Sequence, residues 1–283
     1  MQINREQFLS ILNVAAVGLT GREILEQSNA FAFTAERLIT FNDEILVRLK
    51  NPLDFEGVVV ADELVKLLTK LPDDEIEVFR KGNEFIVKGK RRSAGITCES
   101  DVGLPYEEVP QGTKWSDVEP SVEQMLQQAA RTCGRDETQY LPTCIQVTPK
   151  RIQACDNYRM FRADGKTGFT QTVLIPASSI EALASLPLHK VCVGEGWLHF
   201  QSENESEISI RCSHEEYPKE IDALLEMKGA KKVMLPVNLP SILERAMIMN
   251  EGDYDAKVSI LLQEGEIVVT SRKDTGWYKE RKK

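Results

Sequence analysis

One pattern recurs five times along the 283 residues and limits the fold more than any single motif does. It is a short apolar strand, an amphipathic helix of about three turns, then two or three strands joined by tight polar turns. In the first unit the helix carries Phe8, Leu9, Leu12, Ala15 and Ala16 at helical spacing. The strands Ala30 to Thr34, Arg37 to Phe41 and Ile45 to Leu49 follow, turned at Ala35-Glu36 and Asn42-Asp43. The second unit opens with Gly57 to Val60, continues into a helix with Leu64, Leu67, Leu68 and Leu71 that Pro72 stops, and closes on a hairpin, Glu75 to Phe79 against Glu84 to Lys88.

The third unit opens near Trp115, with Pro120 at a helix start, a stripe of Val122, Met125, Leu126, Ala129 and Cys133, and strands at 143–147 and 151–155. The fourth has Thr172 to Pro176, a helix with Ile180, Leu183 and Leu186, and a strand pair around Gly194-Glu195-Gly196. The fifth has Val233 to Pro236 as its first strand, a helix with Leu239, Ile242, Leu243 and Ala246, and strands around Glu264-Gly265. Units start at Met1, Phe55, Trp115, Phe169 and Lys232, so the spacing alternates between short and long and the units pair, two to a domain. The longer gaps hold Leu104 to Pro110 and Glu215 to Glu220, polar stretches with proline that read as joints. The expected domains are therefore 1–110, 111–228 and 229–283, the last being half a domain. Helices beside sheets in this order predict an α+β fold.

Chemistry is conspicuous by its absence. No Gly-x-Ser-x-Gly elbow, phosphate-binding loop, GxGxxG or HExxH occurs, and acidic pairs such as Asp73-Asp74 sit in turns. Cysteines 98, 133, 144, 155, 192 and 212 stand singly, with no zinc spacing, and read as reduced apolar fillers. His199 in Trp197-Leu198-His199-Phe200 reads as a strand position, so neither a metal nor another cofactor is expected. Apolar runs such as Val58 to Ala61 fall far short of the roughly 20 residues of a membrane span, and Met1 to Arg5 lacks a leader's apolar core, which predicts a cytoplasmic chain. The net charge of −9 advertises no nucleic acid, so any such role rests on charge placed locally. The pattern predicts a binding or scaffold protein rather than an enzyme.

Arg37 to Asp43, Leu67 to Pro72 and above all Cys155-Asp156-Asn157-Tyr158-Arg159-Met160 resemble the bacterial DNA polymerase III beta subunit, the sliding clamp. The likeness runs from the first helix to Ala246-Met247, and its weight lies in the order of many weak motifs on the repeat. The resemblance implies a DNA-clamp fold in which paired units make each domain. It also implies a ring-forming homo-oligomer that encircles duplex DNA without reading its sequence, tethers a polymerase and is opened by a clamp loader. Helices would line the hole, and acidic outer strands could coexist with a more positive interior.

By position along the family pattern, Arg22, Arg135 and Tyr140 resemble its DNA-touching loops. Arg131 and Arg245 join them as residues on the polar sides of their helices; ordinary solvated surface is the competing reading for each. Leu141, Cys155, Asp156, Asn157, Arg159, Met160 and Leu225 resemble the rim and floor of the family's partner-peptide pocket, although Leu141 and Met160 fit plain core packing equally well. Cys155 and Asn157 stand where the family usually has Thr and Gly, and the strand that completes the pocket has no counterpart by Lys283. The other class open to such a chain is a clamp-like regulatory or decoy protein that binds partner peptides without closing around DNA.

Overall fold

The structure is a computed structural model that describes residues 1–134, 143–213, 217, 222–223, 233–250, 257–263 and 265–283. The chain divides into two compact bodies, Met1–Tyr217 and Pro218–Lys283.

In the first body Asn4 caps helix α1 (Arg5–Ala15), its side-chain oxygen accepting from the amides of Glu6 and Gln7. Phe8, Leu12 and Ala15 form the buried stripe that the spacing predicts. Helix α2 (Ala61–Lys70) has acidic residues in its first turn and Lys70 in its last, which suits the helix dipole, and it buries Leu64 and Leu68. The strands of this half are β1 (Gln2–Asn4), β2 (Ala30–Phe33), β3 (Arg37–Phe41), β4 (Ile45–Lys50), β5 (Gly57–Val60), β6 (Glu75–Lys81), β7 (Glu84–Lys88) and β8 (Ser93–Glu99). The next stretch gives β9 (Ser116–Asp117), α3 (Val122–Ala130), β10 (Cys144–Thr148), β11 (Arg151–Cys155) and β12 (Met160–Asp164). It then continues with β13 (Val173–Pro176), α4 (Ile180–Leu183), β14 (Lys190–Val193), β15 (Trp197–Gln201) and β16 (Glu207–Arg211).

The units are interlocked by exchange. Strand β1 pairs with β6 of the second unit, and β5 returns to pair with β2 of the first. The third and fourth units repeat the device, β9 pairing with β14 and β13 with β10. Each first strand thus lies in its sister's sheet, and neither unit closes its core alone. A sheet in the order β1-β6-β7-β8-β5-β2-β3-β4-β16-β15-β14-β9 runs through the body, with a second in the order β12-β11-β10-β13. Gly57 permits one tight approach in the large sheet: its φ is +141°, and a β-carbon there would lie 2.6 Å from the Glu99 carbonyl.

Phe33, Phe55 and Phe85 pack ring against ring inside the cluster that α1 and α2 cover. The opposite face buries Ile39, Phe41 and Leu46 together with Leu104, Val109 and Trp197. The stretch Leu104 to Pro110, expected as a joint, is therefore anchored along the sheet by two buried side chains. The fourth helix is one turn preceded by a 3-10 turn rather than three turns: Ser178-Ser179 are poor helix formers and Pro187 closes the segment behind it. Among the described residues no helix is long and apolar enough to cross a membrane.

The second body holds helix α5 (Leu239–Met247), with Pro240 in its first turn, over a sheet of β17 (Val258–Gln263), β18 (Glu266–Lys273) and β19 (Gly276–Lys282) in that order. Ile242 and Ala246 pack on Ile267 and Val269, and Ser271 Oγ donates to the Ala246 carbonyl at 2.7 Å. The basic run Lys279 to Lys283 lies largely in β19, where Tyr278 and Glu280 alternate inward against exposed Trp277, Lys279 and Arg281. The expected strand at 233–236 is not one: Val233, Met234 and Leu235 are exposed and extend no sheet. Its four counterparts each pair with a sister unit, whereas 233–236 pairs with no strand among the described residues.

Candidate nucleic-acid interface and peptide pocket

Arg22 is exposed on the loop after α1 and has no ion-pair partner among the described residues. The loop itself is firmly built. Ser28 Oγ accepts from the amides of Ile24 and Leu25, and Glu23 accepts from the Gln27 amide at 2.7 Å. Buried Gln27, at φ +59°, ties the loop to the end of β8 by donating to Glu99 and the Asp101 carbonyl and accepting from the Gly103 amide. Such a loop presents a cation on a fixed base, at low entropic cost on binding.

Arg131, just past the C-terminus of α3, is also exposed and free of ion pairs among the described residues. It lines a cleft of about 990 Å³ together with Gln127, Cys133, Thr143, Glu44 and Glu181. Arg245, in the second body, is placed differently: its guanidinium forks onto Glu280 at 2.8 Å and donates to the Tyr278 hydroxyl at 3.0 Å. Hydrogen bonds from Tyr278 and Arg245 hold the Glu280 carboxyl below its usual range, so this cation is already matched. Arg135, Tyr140, Leu141 and Leu225 lie outside the described residues.

The segment after β11 forms a tight turn. Asp156 Oδ1 accepts from the amides of Tyr158 and Arg159 at 2.7 and 2.6 Å, and its Oδ2 takes both arms of the Arg159 fork at 2.9 and 2.8 Å. The backbone bond from Tyr158 and the contacts with Arg159 lower the Asp156 pKa. Cys155 and Met160 face each other across the β11–β12 pair, Asn157 is exposed, and Tyr158 stands 94% exposed at the tip. Cys155 is half-buried and accepts a hydrogen bond from the Tyr217 hydroxyl at 3.4 Å, burial pushing the phenol's pKa upward. Burial also raises Cys133 and Cys212 to about 12, so these thiols stay neutral and behave as the apolar fillers their spacing predicts. Tyr217 is the residue that the sequence reasoning missed; its one signal is a lone aromatic in a polar stretch with proline.

A second polar group sits where β4 meets β16. Arg48 and Glu207 are register partners and pair at 2.9 Å, while buried His199 shares a hydrogen bond with Ser209 at 2.8 Å, and Ser209 donates to Glu207 at 3.1 Å. Burial works against ionisation of Glu207, yet His199 and Arg48 outweigh it and hold the carboxyl below its ordinary value. Among the described residues no cluster of His, Cys, Asp or Glu could hold a metal ion.

No protein-family model matches the chain, and no curated protein matches it. Solved structures do. A DNA polymerase III beta subunit from Eubacterium rectale superposes with a TM-score of 0.79 at 13% identity, over 99% of this chain and 82% of that one. The beta chain from Streptococcus pneumoniae gives 0.78 at 16%, with the same coverage, and the beta subunit from Pseudomonas aeruginosa 0.72 at 17%, over 99% and 83%. The fold is that of the DNA sliding clamps. The α+β architecture expected from the sequence is that of this clamp fold.

Proposed function

We propose that the chain is a processivity clamp: a ring-forming homo-oligomer that encircles duplex DNA and tethers a polymerase delivered with the help of a loader, in the cytoplasm and with no chemistry of its own. Residues 1–110 and 111–228 serve as two clamp domains and 229–283 as half of a third. The observation that carries this reading is the clamp fold over 99% of the chain, with one sheet passing from the first pair of units into the second through the β4–β16 seam. Arg22 and Arg131 supply phosphate contacts, which are independent of base sequence and sensitive to salt. Arg135 and Tyr140 belong to the same surface by the family pattern, whereas Arg245 contributes less because Glu280 already neutralises it. The turn Cys155 to Met160, with Tyr217, serves as the partner-peptide pocket, Tyr158 being its exposed anchor.

Retention on DNA tests the reading. Chain loaded on a nicked circle should stay through a high-salt wash and leave when the circle is linearised; loss from both forms alike would sink encirclement. Arg22→Glu and Arg131→Glu should each lower the slope of log K against log salt by about 1 on short duplexes.

One observation favours the second reading, a clamp-like protein that binds partner peptides without closing on DNA. The helices carry Arg5, Lys66, Lys70 and Arg245 against Glu6, Asp62, Glu63, Glu123, Glu181 and Glu244, so their charges do not sum to a positive wall. Binding of an apolar peptide that Tyr158→Ala abolishes, with no retention on circles, would select that reading.

A further inference from the structure

We draw no further inference here: the strongest candidate, the basic turn Lys88 to Arg92 between β7 and β8, where buried Asp73 accepts from the Lys90 amide and the Arg92 guanidinium while the Lys90 and Arg91 side chains stay exposed, carries nothing new, because a DNA phosphate there would repeat the activity proposed above and nothing in the structure shows what else covers it.

Discussion

Two short apolar segments in matching positions of their units have opposite fates. Gly57-Val58-Val59-Val60 is a strand with Val59 fully buried, while Val233-Met234-Leu235-Pro236 is open to solvent. Each precedes an amphipathic helix and follows a polar stretch. The difference is the neighbour: β5 lies between β2 and β8, whereas 233–236 pairs with no strand among the described residues. A strand is a property of a pair, and β propensity expresses itself only against a partner.

That comparison can be broken, beginning where the effect should be largest. Phe33→Ala, in the ring cluster sealed by the exchanged strands, should destabilise the first body by about 3–5 kcal/mol in urea unfolding; a loss below about 1 kcal/mol would mean that the exchange seals nothing. Arg48→Met should cost about 1–3 kcal/mol by leaving Glu207 short of a charged partner at the β4–β16 seam. The same seam sets a pH dependence. Glu207 ionises more readily folded than unfolded, so its contribution is complete above the ordinary 4.5 and is lost as pH falls through the lower folded value. Replacement by Gln should therefore flatten the acid limb of the stability curve, and an unchanged limb would assign it to other carboxylates. Smallest of all, Leu261→Ala on exposed β17 should stay within about 0.5 kcal/mol of wild type. A larger loss would show that β17 is buttressed, which would erase the contrast between the two segments.

How much was legible follows the strength of each local signal. Strands β2, β3 and β4 were readable because apolar runs are bounded by Asn42-Asp43, and the structure puts Asp43 at positive φ with Asn42 Oδ1 accepting the Ile45 amide. Strand β8 was not, because Gly95 interrupts it and only Cys98 of its inward positions Ala94, Ile96 and Cys98 is buried, which leaves a weak alternation. Strand β19 hid for the opposite reason: long charged side chains mask an alternation whose inward members are Tyr278 and Glu280. At the candidate site, the turn from Cys155 to Met160 is written in consecutive residues and could be read directly. Tyr217 lies 62 residues from the cysteine it touches, a distance no local pattern spans. The state of Arg245 was equally hidden, because Glu280 reaches it from a strand 35 residues further along the chain.

Strand exchange also sets a clock on synthesis. Gln2 pairs with Glu77, so at translation rates of about 5–20 residues per second β1 waits roughly 4 to 15 s for its partner. Throughout that interval α1 has begun to bury an apolar stripe in a sheet still lacking its outer strands. The nascent chain is most exposed to wrong pairings in that interval, long before any question of function arises.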